Sequence, residues 1–268
     1  MNLFDLSGKV AVVIGATGVL GGAIARGLAG HGAEVAVLGR SEDRGRQRVQ
    51  EIEGAGGRGV FFSADATDPN ALQGAHKRIC QELGAVDVLV NAAGGNQDQV
   101  TVTNERKVEQ ILSDDWRSCF DLNLVGGALL PCQEFGPTMV ERGRGSIINI
   151  ASIAAHVPLS RVVAYSSAKA ALVSLTQFLA REWATQGVRV NSITPGFFPA
   201  EQNRRLLYEE DGTPTPRAQQ ILSHTPMERF GVPEELVGAA VFLASDTASG
   251  FVTGTDMRVD GGFLSKTI

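Results

Sequence analysis

Short apolar runs of strand length alternate along the chain with longer stretches whose apolar residues recur at helical spacing. The first run, residues 9–14 (KVAVVI), ends at once in a Gly-rich turn, GATGVLGG. The helix-like AIARGLAGHG follows, and then a second apolar run at 34–38. Strand, turn, helix and strand make a βαβ unit, whose crossover is expected to be right-handed. Further strands are predicted at 59–63, 86–90, 147–150, 188–193 and 257–259. Helices are predicted at 70–83, at 233–244, and from the Tyr165 region to about Gln186, closed by Gly187. Residues 114–142 predict one long helix or two in series.

Two stretches break this rhythm. Residues 95–113 are polar and longer than an ordinary connection, which predicts a rim or mobile flap over a site. Residues 197–227 carry Pro199, Pro214, Pro216 and Pro226 with charges between them, which predicts an irregular segment covering a ligand. There is neither an internal repeat nor a linker, so the expected architecture is α/β, in one domain spanning 1–268.

Composition narrows the partners. A net charge of −5 over 268 residues offers nothing to nucleic acid or an anionic membrane surface. No stretch reaches the ~18 consecutive apolar residues of a membrane span, and the N-terminus lacks a basic, cleavable leader. Cys80, Cys119 and Cys132 are odd in number and lack metal-like spacing, which predicts free thiols, no metal and a cytoplasmic location.

Candidate chemistry sits at the ends of the predicted strands. Gly15, Gly18 and Gly21 bring backbone N–H groups to a helix N-terminus, where a pyrophosphate is favoured. The stretch Gly15, Thr17, Gly18, Val19, Leu20, Gly21 is therefore the candidate dinucleotide cradle. After the second strand, where NAD binders usually place a carboxylate for the ribose, stand Gly39, Arg40 and Ser41. An arginine can grip a 2′-phosphate, so NADP(H) is favoured over NAD(H); a solvated Arg40 is the plain alternative. Asp65, followed by Ala66, can accept from an adenine amine or close an Asx-turn. Asn91, Ala92 and Gly94, at the end of the next strand, leave room for something flat.

Tyr165 and Lys169 are four apart and share a helix face, while Ser152 lies just past a strand. A hydroxyl, a phenol and an ammonium brought together suit proton transfer at an alcohol or ketone. A free phenol titrates near ~10, and a neighbouring cation favours its ionised form. Ser152 would hold the substrate oxygen. Asn123, inside an apolar helix, needs partners: a neighbouring strand, or a bridge to Lys169.

Taken in order, these motifs resemble the short-chain dehydrogenase/reductase family over nearly the whole chain. They are completed by Pro195-Gly196 and the closing Val259-Asp260-Gly261-Gly262. The resemblance implies a doubly wound, seven-stranded parallel Rossmann sheet with helices on both faces, a nicotinamide cofactor and a homotetramer. It also implies Tyr165 as acid/base, Lys169 gripping the nicotinamide ribose and lowering the phenol pKa, Ser152 positioning the substrate, and Asn123 in a proton relay. Pro195, Gly196 and Phe198 would lie at the nicotinamide. The turn departs from the usual Thr-Gly-x-x-x-Gly-x-Gly: Ile14 replaces the Thr, Val19 the middle Gly, and Gly18 comes one place early.

Within the family, NAAGGN, PGFFPAEQNRRLL and HTPMERFG are similar to the D-mannonate/D-fructuronate oxidoreductase branch. Asn96, His156, Gln202, Asn203 and Arg204 then become candidates for binding a polyhydroxy acid, with Arg204 or Arg205 for its carboxylate. A 3-oxoacyl thioester is the alternative small-molecule substrate. A non-catalytic cofactor-binding regulator is the alternative of another class.

Overall fold

The computed structural model describes residues 2–200 and 204–267, so Gln202 and Asn203 fall outside the described residues. The chain opens with β1 (Val10–Ile14), α1 (Val19–Gly30), β2 (Glu34–Gly39), α2 (Glu42–Gly54), β3 (Arg58–Ser63) and α3 (Pro69–Glu82). Next come β4 (Val86–Asn91), α4 (Ser113–Phe120), α5 (Leu130–Glu141), β5 (Gly145–Ile150), α6 (Val163–Trp183) and β6 (Val188–Pro195). The remainder is α7 (Arg204–Leu207), α8 (Pro216–His224), α9 (Val237–Ala244), α10 (Asp246–Ser249) and β7 (Asp256–Val259).

All seven strands join one sheet in the order β3-β2-β1-β4-β5-β6-β7, each pair parallel. Parallel strands covered on both faces read as continuous apolar runs, and β1 is buried throughout. Its side chains alternate between two cores. Ala11 and Val13 pack with Ile24 and Leu28 of α1 and Ala240 and Val241 of α9. Val10, Val12 and Ile14 pack on the other face with Leu72 and Ile79 of α3, Phe135 of α5 and Leu179 of α6. Helices therefore cover both sides, as the doubly wound expectation requires.

The strand order reverses between β1 and β4, which opens a crevice at the strands' C-terminal ends. Register brings those ends level. Ile14 pairs with both Leu38 and Asn91, Asn91 with Asn149, Ile150 with Ile193, and Pro195 with Val259.

Three segments differ from the sequence expectation. Residues 114–142 form neither a single α-helix nor a simple pair, because nine residues of π-helix, Asp121–Leu129, join α4 to α5. Glycines let this wide segment pack: a Cβ on Gly126 would lie 2.6 Å from Thr67 Cγ2, and one on Gly127 would lie 2.8 Å from Leu122 O.

Residues 197–227 contain α7 and α8. Pro216 does not break α8 but starts it, at the first turn, where its missing N–H costs nothing. Thr215 caps this helix by accepting from Ala218 N.

Residues 95–113 carry two single turns, Asp98–Val100 and Val108–Gln110. The segment is pinned by buried Val100 against Cys119 and Ala164, and by Val102 N donating to Arg161 O at 2.8 Å.

Candidate active site

The Gly-rich turn is shaped by close backbone approach. Gly15 has φ +80°, and a Cβ there would lie 2.6 Å from Ala93 N, so the ends of β1 and β4 can meet only at a glycine. A Cβ on Gly21 would sit 2.5 Å from Gly15 O, which fixes the first turn of α1 against the loop. Gly18 begins α1 with no side-chain cap and no acidic residue in the first turn. Its N-terminal N–H groups are thus left for an anion. The departures from the usual turn fall where a side chain is harmless, since Val19 is exposed. A Cβ on Gly18 would meet only Gly15 O, at 3.2 Å. Thr17 and Leu20 flank the cradle, Leu20 packing back onto the core. A cradle that a Cβ would fill at two points fits a pyrophosphate.

At the end of β2, Gly39 is crowded. A Cβ there would lie 2.7 Å from Thr17 Cγ2 and 2.8 Å from Thr17 Oγ1. Arg40 is exposed, with Nη1 3.6 Å from Asp65 Oδ2. Asp65 closes an Asx-turn, its Oδ1 accepting from Thr67 N at 2.9 Å and from Thr67 Oγ1 at 2.8 Å. The Thr67 backbone bond, aided by the Thr67 hydroxyl and Arg40, holds this carboxyl below its ordinary value against the opposing effect of burial. Of the two roles open to Asp65, the turn is built by one oxygen while the other faces Arg40. Ser41 starts α2 without a side-chain cap bond. Ala66, partly buried, packs on the core face that carries α3.

Asn91 is fully buried and turns away from the crevice: its Nδ2 donates to Asn149 Oδ1 at 2.8 Å. It can serve a cofactor only through its backbone. Ala92 N donates to Ile14 O at 2.9 Å, closing β4 against β1.

The proton-transfer group converges as its spacing predicts. Ser152 follows β5 in an extended conformation and accepts from Ala154 N at 3.2 Å. Its hydroxyl stands near the Tyr165 phenol, in the first turn of α6, and favours the ionised form of that phenol. One turn on, Lys169 is only 3% exposed, and its Nζ donates to Ile150 O at 2.8 Å. Gly94 stands over this cluster at φ +142°, where a Cβ would lie 2.7 Å from Asn123 Oδ1 and 3.3 Å from Lys169 Nζ.

Asn123 lies in the π segment and is fully buried. Its Oδ1 accepts from Gly95 N at 2.8 Å, and its Nδ2 donates to Gly95 O at 2.9 Å and Cys119 O at 2.9 Å. The side chain thus clamps the loop beyond β4, and its Oδ1 and the Lys169 Nζ both face Gly94.

The electrostatics of this cluster run opposite to one expectation. Burial pushes the Tyr165 phenol up, and the Ser152 hydroxyl only partly opposes it. Burial also pulls Lys169 down, to about 8. Its Nζ is 5.8 Å from the Tyr165 ring centroid. At that distance, and itself desolvated, the ammonium does not bring the phenol toward neutral pH in the chain alone.

Of the expected substrate residues, Asn96, His156 and Arg204 are described, and each has a partner within the chain. Asn96 is exposed, and its Nδ2 donates to Thr101 Oγ1 at 2.6 Å. His156 faces the β6–β7 edge, with Nε2 3.0 Å from Asp256 Oδ2 and 3.2 Å from Thr194 Oγ1. The Arg204 guanidinium lies 5.9 Å from the centre of the Tyr208 ring, just past the end of its own helix.

Gly196 lets β6 and β7 close beyond Pro195, since a Cβ there would lie 2.7 Å from Asp260 Cα. Phe198 is buried in the core with α1 and α9, against Gly231. Phe197 meets Phe263 edge to face at 5.4 Å. Asp256 and its hydroxyl donors Ser192 and Thr194 escaped the sequence reading, because their meeting depends on the register of β6 with β7.

Comparison with known proteins agrees with this geometry. The family model described as enoyl-(acyl carrier protein) reductase matches residues 15–264. An uncharacterised oxidoreductase of Bacillus subtilis (strain 168), UxuB, is 42% identical, covering 97% of this chain and 96% of that protein. A candidate D-mannonate oxidoreductase from Haemophilus influenza, solved with bound NAD, superposes with a TM-score of 0.92 at 36% identity, covering 98% of this chain and 97% of that one. A gluconate 5-dehydrogenase from Burkholderia cenocepacia, solved with NADP and tartrate, gives a TM-score of 0.88 at 30% identity, covering 99% of both chains. With its seven-stranded sheet, Gly-rich cradle and Ser152–Tyr165–Lys169 cluster, the chain belongs to the short-chain dehydrogenase/reductase family and is an NAD(P)-dependent oxidoreductase.

Proposed function

We propose that this enzyme interconverts the ketone and secondary alcohol of a sugar acid of the D-fructuronate/D-mannonate type, preferring NADP(H). The observation that carries the reading is the meeting of Ser152, Tyr165 and Lys169 beneath Gly94, at the crevice where the strand order reverses. The sugar-acid names of two structural relatives support the substrate class.

The nicotinamide, when bound, supplies or accepts the hydride. Gly15, Gly18 and Gly21 hold its pyrophosphate, Arg40 and Ser41 its adenosine ribose, and Lys169 its other ribose. Ser152 holds the substrate oxygen while Tyr165 gives or takes the proton. With the phenol pushed above its ordinary value, Tyr165 is protonated at neutral pH and ready to donate during ketone reduction. Alcohol oxidation needs the phenolate, so its rate rises with alkaline pH while reduction falls.

A cytoplasmic location is part of this proposal; among the described residues no helix is long and apolar enough to cross a membrane. Phe178 on α6 and Phe251 near β7 remain exposed, and a homotetramer would cover such surface.

The test is consumption of NADPH and NADH on D-fructuronate beside a 3-oxoacyl ester, with Tyr165→Phe as control. Turnover of the sugar acid is expected, lost by about 10²–10⁴-fold in the variant while cofactor affinity stays. Activity confined to the acyl ester overturns the substrate class, and a variant near the parent rate removes Tyr165 from its role.

A further inference from the structure

A carboxylate substrate needs a cation, and the covering segment and the turn before α6 together present a pair of arginines that the sequence reading did not single out. Arg161, just ahead of α6, and Arg217, in the first turn of α8, line one cleft of about 400 Å³ with Leu206, Thr215, Pro216 and Gln220. Among the described residues neither arginine enters an ion pair, and no acidic residue lines the cleft. Two guanidiniums sharing a cleft without a carboxylate repel each other, and an incoming anion relieves the repulsion. Burial, and then the Arg161 charge, pulls Arg217 below its ordinary value.

Both residues are held in place. Arg217 Nη1 donates to Ser160 Oγ at 3.3 Å, tying α8 to the turn that leads into α6. Arg161 has φ +75°, a left-handed conformation uncommon for a residue with a side chain, and its carbonyl accepts from Val102 N at 2.8 Å. Such a conformation is kept where surroundings enforce it, often at binding sites. Thr215 and Pro216 also bring the start of α8 to the cleft, and its positive dipole end adds to the two charges.

The cleft is not lined by Ser152, Tyr165 or Lys169; the chain links it to them through Arg161, in the turn that leads into α6. Arg161 stands four residues before Tyr165, so their Cα atoms are at most about 14 Å apart. A hexonic acid and an arginine side chain together span that gap. Resting on the sugar-acid reading above, we propose that Arg161 and Arg217 form the carboxylate subsite, gripping the acid end of the substrate while its carbonyl end lies at Ser152 and Tyr165. This places the charge recognition on α8 and the turn before α6, not on Arg204.

The test compares the parent with the double variant Arg161→Asn, Arg217→Gln. Asn suits the left-handed backbone, and Gln keeps a donor for Ser160. Each holoenzyme is assayed on D-fructuronate and on its uncharged methyl ester, and titrated calorimetrically with tartrate. The KM for D-fructuronate should rise about tenfold or more with kcat little changed, the ester should be unaffected, and tartrate affinity should fall about tenfold. Arg217→Lys alone should retain an intermediate KM, since it keeps the charge and loses the fork.

An unchanged KM, or equal losses on acid and ester, overturns the proposal. If the parent turns over no sugar acid, the substrate reading fails separately, and tartrate decides the subsite. Binding by the parent but not the double variant then upholds an anion site at these arginines. Equal binding by both, or by neither, overturns it.

Discussion

At the scale of single residues, the proposed coenzyme choice can be tested at a missing Cβ. Gly39 occupies the position where a carboxylate would take a ribose hydroxyl, and the space its side chain would need is filled by Thr17. Introducing Asp at Gly39 in the parent should therefore weaken both coenzymes, because Thr17 must rotate out of the cradle. With Thr17→Ala and Arg40→Val added, the carboxylate has room and the guanidinium is gone. Hydrogen bonds to charged groups contribute about 1.5–3 kcal/mol, so the ratio of kcat/KM values should then move tenfold or more toward NADH. If Gly39→Asp alone makes that switch with no loss of affinity, Thr17 does not guard the site. Arg40 takes part here as well: it faces Asp65 in the free chain and must leave that carboxylate to reach a 2′-phosphate.

At the scale of elements, legibility followed burial. The strands were readable because a parallel sheet covered on both sides makes apolar runs, and β1 and β5 are buried from end to end. The Ser152, Tyr165 and Lys169 group was readable because a helix fixes the geometry of residues four apart. The π segment was not, since the side-chain pattern of residues 114–142 looks helical whichever backbone ladder it uses. Pro216 misled for a related reason: proline ends one helix and begins another with equal ease. The His156–Asp256 contact was not readable either, because it depends on how β7 docks beside β6.

The π segment and β4 meet at Gly94, and that contact can be tested. Gly94→Ala places a Cβ 2.7 Å from Asn123 Oδ1 at φ +142°, so it should disturb the Asn123 clamp and the Lys169 position together. A loss of about 1–3 kcal/mol in urea unfolding is expected, with kcat reduced tenfold or more. Gly143→Ala is the comparison, since at φ +66° it meets nothing within 4 Å. It should cost stability without touching kcat. Equal kinetic effects of the two changes would show that Gly94 serves the backbone alone.

At the scale of the whole molecule, the Ser152–Tyr165–Lys169 cluster draws on the stability of the fold. Lys169 is buried with its pKa lowered to about 8, while in the unfolded chain it titrates near ~10.4. Between those values the unfolded chain binds more protons than the folded one, so stability rises with pH across that window. Below it the full penalty stands, roughly 3 kcal/mol.

Lys169→Met removes the penalty but leaves Ile150 O without the bond it accepts from Nζ, a cost of about 1–3 kcal/mol. The variant should be inactive, yet close to the parent in stability at pH 7. As pH rises from about 8 to about 10.5, the parent should pull ahead by roughly 3 kcal/mol. Tyr165 acts in a separate window: its raised pKa keeps the folded phenol protonated after the unfolded one ionises, so its contribution is lost above about 10. Both proteins carry that phenol, and the difference between them removes it. Urea unfolding of parent and variant at several pH values gives the answer. A stability difference that stays flat with pH would mean that Lys169 titrates at its ordinary value and that the fold gives up nothing to hold it.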